Sequence, residues 1–273
     1  MKLEQINAAI QKANEERERK EAALAEKAQK LSPQQAGKEL LKELKKNPGN
    51  AHEQWCIALI DAGKADIHLK DEENKTLLSL AIEAGEPVVA DMLINKGINI
   101  ESADKHGFTA LHYAVNLNFG QTMYALIAEK ANLNATTNEG MTPLMIAAVL
   151  GHSPLAKGLL EYGAKVDMQS NNGKTALMFA VEGQSEEAVK IIIGHRASTE
   201  LKDKEGHTAL DIAHTLKSRP TYAKAMAPII QDIEEARRWQ VTESFKKAAD
   251  QGTRTRRVIR RPSAKKAPQG HNI

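Results

Sequence analysis

Cysteine and aromatic residues are scarce in this chain of 273 residues. The single cysteine, Cys56, excludes an internal disulfide and is typical of a protein from a reducing compartment. Aromatic residues make up only 4% of the sequence, fewer than one large closed core usually contains. The composition therefore favours many small interfaces filled by aliphatic side chains.

Long apolar runs are also missing. No stretch approaches the roughly 18 apolar residues that a helix needs to cross a membrane. The first residues, MKLEQIN, precede charged residues 15–21 rather than the apolar segment of a secretion signal. We therefore expect a cytoplasmic protein without a membrane span. Delivery into a host cell is an alternative, as is the nucleus if the source is a eukaryote.

Acidic residues are absent from residues 251–273, which carry +7 and leave −4 on the rest of the chain. The basic residues are Arg254, Arg256, Arg257, Arg260, Arg261, Lys265 and Lys266. This segment has almost no apolar content, so we expect a disordered tail. Because it lacks aromatic residues for base stacking, any nucleic-acid contact would involve phosphates. Binding of nucleic acid or another acidic surface is the alternative function.

A period of 33 residues organises the middle of the chain. Gly107, Gly140, Gly173 and Gly206 lie 33 residues apart, and Asn74 takes the same position one period earlier. Each is followed after two residues by Thr, after four by Leu and after seven by Ala. Five copies of Thr-x-Leu-x-x-Ala in one register establish an internal repeat.

The repeated residues predict a turn followed by helices. Glycine in a polar run suits a turn that needs a permissive backbone, and threonine suits the N-cap of a helix. Pro143 follows Thr142, at the first helical position, where a missing N–H is harmless. Leu and Ala three residues apart then share one helix face. A second apolar segment in each period, such as residues 155–160, predicts a second helix.

At these residues the chain resembles the ankyrin repeat, and residues 141–148 (MTPLMIAA) are the best local match. The resemblance implies an all-α fold, in which a turn and two antiparallel helices per repeat stack into a curved solenoid. The predicted units are a degenerate cap at 34–70, repeats at 71–103, 104–136, 137–169 and 170–202, and a partial cap at 203–218.

The flanks are predicted to be helical. Residues 1–33 should contain a charged helix, solvated or docked rather than part of a dimerising coiled coil. Residues 219–250 should form a helical extension, with one helix over 229–245. Pro220 and Pro228 are expected to interrupt the second helix of the last unit.

Three fragments suggest chemistry, and each has a simpler explanation. Gly173-Lys174-Thr175 resembles the end of a phosphate-binding loop, but the repeat register already accounts for it. His52 and Cys56 have the spacing of two zinc ligands on a helix, yet a third ligand is missing nearby. His112 lies where ankyrin repeats themselves place a histidine. We therefore expect neither an enzyme nor a bound cofactor or metal.

The resemblance also implies which positions face a partner protein. Counting Asp71, Asp104, Thr137, Ser170 and Asp203 as position 1, they are positions 2, 3, 5, 13 and 14 and the residue before the terminal glycine. In the second and third repeats this set is partly apolar and includes Phe108, Leu117, Met141, Val149, Leu150 and Tyr162. Its polar members there include Lys105, His106, Asn116 and Glu139. The leading hypothesis is a non-enzymatic scaffold (adaptor, inhibitor or host-directed effector) that is monomeric or part of a hetero-complex.

Overall fold

The structure, a computed structural model, describes residues 2–45, 53–63 and 65–259. These residues form thirteen helices and no strand. The helices are α1 (Lys2–Gln29), α2 (Pro33–Leu44), α3 (Glu53–Asp61), α4 (Leu77–Ala84), α5 (Pro87–Asn95), α6 (Ala110–Asn116), α7 (Gly120–Ala128), α8 (Pro143–Leu150), α9 (Ser153–Glu161), α10 (Ala176–Glu182), α11 (Glu186–Gly194), α12 (Ala209–Lys217) and α13 (Ala223–Ile259).

The helices form two stacked layers. The even-numbered helices from α2 to α12 pack on one another in chain order and make the inner layer. The odd-numbered helices from α3 to α7 and from α9 to α13 pack in the same way and make the outer layer, and α1 packs on α3. Between these two groups, Met123 and Tyr124 of α7 lie close to Gly158 of α9. The predicted all-α solenoid of helical hairpins is confirmed.

Each inner helix of the repeats begins at the threonine that the sequence marks. The hydroxyl of Thr142 accepts the backbone N–H of Met145, and Pro143 follows at the first helical position. Thr76, Thr175 and Thr208 cap α4, α10 and α12 in the same way. These caps satisfy N–H groups that a helix start otherwise leaves unpaired.

The signature Leu and Ala fill the space between the layers. Leu144 is 1% exposed and Ala147 is fully buried. A buried leucine contributes about 1.5–3 kcal/mol relative to an exposed one, whereas alanine permits close helix packing. The stack is therefore held mainly by contacts between neighbouring repeats.

The turns that precede the inner helices also contact one another. The backbone N–H of Asn138 donates to the carbonyl of His106 at 2.9 Å, and Asn171 donates likewise to Glu139. Gly140 lies in this ladder with φ of +76°, and a Cβ there would lie 2.6 Å from the nitrogen of Asn171. Glycine is thus required both by its backbone angle and by the neighbouring turn.

The amino-terminal helix docks by its second half. Ala28 is buried against the solenoid, and the Lys27 Nζ lies 4.7 Å from the centroid of the Trp55 ring on α3. Residues 7–20 are exposed. Cys56 is buried on α3, as expected for a core residue, whereas His52 lies outside the described residues.

The carboxyl-terminal part corrects two expectations. Pro228 lies inside α13, which starts at Ala223 and takes the place of the second helix of the last unit. Burial of Met226, Ile229 and Ile233 offsets the hydrogen bond lost at proline. The helix also continues to Ile259, where the sequence predicts disorder from residue 251. No proline interrupts the helix between Pro228 and Pro262.

Candidate partner-binding face

Two ion pairs locate the inward-facing surface of the inner helices. The Lys75 Nζ lies 2.9 Å from Glu83, and the Lys174 Nζ lies 2.6 Å from Glu182. In both cases the lysine is at position 5 of its repeat and the glutamate at position 13. Positions 5 and 13 therefore face each other across the start and end of an inner helix, in the first and fourth repeats.

The two repeats between these ion pairs replace the charges with largely apolar residues. Their residues at positions 5 and 13 are Phe108 and Asn116, then Met141 and Val149. Position 14 adds Leu117, which is 36% exposed, and Leu150, which is 47% exposed. We call the side chains of these five residues the inner apolar strip: Phe108, Leu117, Met141, Val149 and Leu150. Its members are half-buried or exposed, so they remain available for contact.

The turns make a polar rim beside the strip. Lys105, His106 and Glu139 are all exposed. The Lys105 Nζ bonds the Glu73 carboxylate of the preceding repeat at 2.6 Å. That contact, with the Lys75 ammonium at 3.3 Å, lowers the pKa of Glu73. Of the three rim residues, Lys105 is therefore paired with a carboxylate of the preceding repeat.

Phe108 rests on a buried support. Its ring centroid lies 5.6 Å from those of His112 and Tyr113. The Tyr113 hydroxyl donates to Asp104 Oδ2 at 2.6 Å, and burial together with this bond raises the pKa of Tyr113. Asp104 Oδ1 in turn accepts the N–H groups of His106 and Phe108. The chain of contacts fixes the ring orientation of Phe108.

His112 has a structural role. Its Nδ1 accepts the backbone N–H of Thr109 at 3.1 Å, so Nε2 carries the proton and donates to the Met141 carbonyl at 3.2 Å. Burial lowers the pKa of His112 and favours this neutral form. The side chain links the helix cap of one repeat to the turn of the next.

Models of known families agree with this geometry. A model of ankyrin repeats in three copies matches residues 35–136. A second, of ankyrin repeats in many copies, matches residues 126–177 and 159–213. The chain belongs to the ankyrin-repeat family. No curated protein sequence matches it. Ankyrin repeats are in general scaffolds for protein–protein interaction and are typically not catalytic.

One residue predicted for the ankyrin face lies elsewhere. Tyr162 caps the outer helix α9, and its ring contacts Tyr124 of α7 with centroids 6.0 Å apart. Tyr162 is therefore in the outer layer, separate from the inner apolar strip, because the residue before the terminal glycine ends an outer helix. Sequence reasoning missed Tyr124. A signal was present in the sequence, because Tyr124 is an aromatic residue at a repeat position where the other repeats have the charged residues Asp91, Lys157 and Lys190.

The structure describes only the first part of the basic tail of this ankyrin-repeat protein, up to residue 259. The backbone of Arg254, Arg256 and Arg257 belongs to α13. Arg260, Arg261, Lys265 and Lys266 lie outside the described residues. Contact between the tail and nucleic acid therefore stays a prediction. In the described segments, every helix is too short or too polar to cross a membrane.

The fragments that suggested chemistry have ordinary roles in the ankyrin fold. Lys174 pairs with Glu182, and Thr175 caps α10, which accounts for Gly173-Lys174-Thr175. Asp203, Glu205 and His207 form one group of possible metal ligands among the described residues. Asp203 Oδ1 there accepts two backbone N–H groups, as the aspartates of other turns do. Turn formation thus explains its placement.

Proposed function

We propose that this ankyrin-repeat protein is a non-enzymatic scaffold that binds a segment of a partner protein along the inner apolar strip. The observation that carries the proposal is the change at positions 5 and 13. The ion pairs Lys75–Glu83 and Lys174–Glu182 occupy these positions in the first and fourth repeats. Uncharged residues occupy them in the second and third repeats. An apolar centre with a polar boundary is the usual composition of a protein interface.

The energetics favour the strip as the source of affinity. An anchor residue buried at the centre of an interface can contribute about 2 kcal/mol or more. Leu117 and Leu150 retain exposed apolar surface that a partner could bury, at about 25 cal/mol for each Å² removed from water. The ion pairs are partly exposed and contribute about 0–1 kcal/mol each, so they act mainly by rejecting apolar groups placed outside the strip.

The matching partner segment has definite chemistry. It carries apolar side chains along the length that faces two repeats, and polar or charged groups at both ends. Such a protein would act as an adaptor or an inhibitor by occupying its partner. We further propose that it works in the cytoplasm as a monomer that enters a hetero-complex.

A matched pair of substitutions tests this proposal. Leu150→Asp places a charge in the strip, and Tyr162→Asp places one on the outer layer at a side chain that is even more exposed, 59% against 47%. Immobilised wild-type and variant proteins are incubated with source lysate, and retained proteins are quantified by mass spectrometry. A partner that binds the strip is lost at least tenfold with Leu150→Asp and is retained with Tyr162→Asp.

The opposite pattern would contradict the proposal. If Tyr162→Asp abolishes retention and Leu150→Asp preserves it, the outer layer is the binding surface. Circular dichroism of each variant establishes that the helices are intact before retention is compared.

A further inference from the structure

A groove of about 470 Å³ lies on the outer layer, far from the inner apolar strip. It runs between α11 and the middle of α13, and its lining includes Lys190, Ile193, Arg196, Asp232, Ala236 and Trp239. Nothing in the proposed binding of a partner to the inner helices uses these side chains. The groove therefore needs its own explanation.

The spacing on α13 opens the groove. Asp232, Ala236 and Trp239 are separated by four and three residues, so they lie along one helix face. Ala236 is the small residue in the middle. Trp239 is 51% exposed, and a long helical side chain leans toward the preceding turn, in this case toward Ala236. The groove thus has an aromatic wall at one end and a carboxylate at the other.

One oxygen of the Asp232 carboxylate has no hydrogen-bond donor among the described residues. Within the segments that the structure describes, Asp232 Oδ2 is the buried side-chain atom without a hydrogen-bond partner. The Lys190 Nζ of the facing helix is engaged by Glu186 at 2.5 Å. A buried acceptor without a donor is unfavourable, so a ligand that donates to Oδ2 after a rotation of the Asp232 side chain gains binding energy.

The surrounding charges favour a cation as that donor. Burial raises the pKa of Asp232, and the negative charges of Glu186 and Glu235 raise it further. The positive charge of Lys190 lowers it. The lining itself has two carboxylates, Asp232 and Glu235, and two cations, Lys190 and Arg196. Glu186, which pairs with Lys190 beside the groove, adds a third carboxylate. The Arg196 guanidinium lies 5.9 Å from the centroid of the Trp239 ring. The ring therefore already accepts a guanidinium next to it.

We propose that this groove binds the arginine side chain of a partner peptide, with its stem against Trp239 and Ala236 and its guanidinium donating to Asp232. A guanidinium fits better than an ammonium because it is planar, stacks on aromatic rings and presents several donors in a fixed arrangement. The site is a second, independent contact surface, and its occupancy does not depend on the inner apolar strip.

Tryptophan fluorescence of the full chain tests the proposal. The other tryptophan, Trp55, is buried, so a ligand in the groove changes mainly the Trp239 signal. The probes are acetyl-Gly-Arg-Gly-amide and the same peptide with citrulline, which is uncharged and nearly isosteric. The arginine peptide should give a saturable change at least tenfold tighter than the citrulline peptide. Equal affinity for both, or no saturable change, overturns the proposal without requiring any variant.

Variants then locate the contact. Asp232→Asn should weaken the arginine peptide about tenfold, while Asp91→Asn, at an exposed carboxylate on α5, should leave its affinity unchanged. Arg196→Gln should tighten binding, since it removes a competing guanidinium from the Trp239 ring. Retained affinity in Asp232→Asn overturns the assignment. Agmatine that binds as tightly as the peptide overturns the peptide as occupant and indicates a small-molecule site.

Discussion

The third repeat and the last repeat carry the same sequence signature in different surroundings. Gly140 and Gly206 both have left-handed backbone angles, with φ of +76° and +87°. A Cβ on Gly140 would meet the next turn at 2.6 Å, whereas one on Gly206 would have nothing within 4 Å. Likewise Leu144 is 1% exposed, but its equivalent Leu210 is only half-buried. One signature is thus placed in two physical environments.

Local sequence and the adjacent repeat therefore contribute separately to the stability of each repeat. The turn and the helix cap form in both repeats because they depend on residues close in sequence. The weight of each residue depends on the adjacent repeat, as expected when stability is a sum of repeat and interface contributions. In the last repeat, α13 is the outer helix and packs on α12 and α11, and among the described residues no further inner helix follows to cover α12.

The largest expected effect comes from the signature leucine. Leu144→Ala should lower the free energy of unfolding by about 3 kcal/mol, within the usual range for a buried leucine. Leu210→Ala should cost about 1 kcal/mol, because half-burial leaves less apolar area to lose. Urea unfolding followed by circular dichroism measures both. Equal losses at the two positions would contradict the comparison.

The glycine pair gives the next largest effect. Gly140→Ala should destabilise by about 2 kcal/mol or more, since a left-handed alanine costs roughly 1 kcal/mol and the Cβ also displaces the next turn. Gly206→Ala should cost only the left-handed backbone contribution, about 1 kcal/mol, because its Cβ would meet no neighbouring turn. Hydrogen exchange should show faster opening of residues 137–202 in Gly140→Ala alone. If both variants lose the same stability, contact between turns is unimportant.

The smallest effect is a dependence on pH at position 9 of the repeat, which is His112 in the second repeat and Asp211 in the last. Burial lowers the pKa of His112, so the unfolded chain binds its proton more readily and stability falls as pH drops below about 6.5. Hydrogen bonds from Thr208 lower the pKa of Asp211, so its contribution is lost only below its ordinary value of 3.8.

His112→Gln isolates the histidine contribution. The variant should unfold with about 1 kcal/mol less stability at pH 7.5, because one hydrogen bond between repeats is weakened. Its stability should change less than that of the wild type between pH 7 and pH 5, a window in which Asp211 does not titrate. Thermal unfolding at several pH values measures this. An unchanged pH profile would show that His112 is not the responsible group.

Much of the fold is predictable because its determinants are close in sequence. The positive φ at Asn74 and at the four repeat glycines, the threonine caps and the buried Leu and Ala all follow from a register of 33 residues. The amino-terminal helix follows from composition. Pro228 misleads because a local rule forbids proline inside a helix, whereas burial of Met226, Ile229 and Ile233 overrides that rule.

The candidate sites are predictable only in part. The resemblance to ankyrin repeats implies that Phe108, Leu117, Met141, Val149 and Leu150 face a partner, and their contact with one stays a prediction. The resemblance grouped Tyr162 with them, but the structure places it at the end of an outer helix, where its ring contacts Tyr124, 38 positions earlier in the chain. The groove at Asp232 and Trp239 was absent from the sequence prediction. It arises where α13 packs on α11, outside the repeat register.

Short-range chemistry at a fixed spacing specifies the repeat, its turns and its helix caps, whereas the residues expected to face inward follow from the resemblance to ankyrin repeats. Tertiary structure alone decided how those residues meet. It joined Lys75 to Glu83 and Lys174 to Glu182, placed Tyr162 in the outer layer and buried Asp232 Oδ2 near a lysine that pairs with Glu186. Pairing and burial are properties of packed helices, and a linear pattern contains them only where the repeat itself specifies the packing.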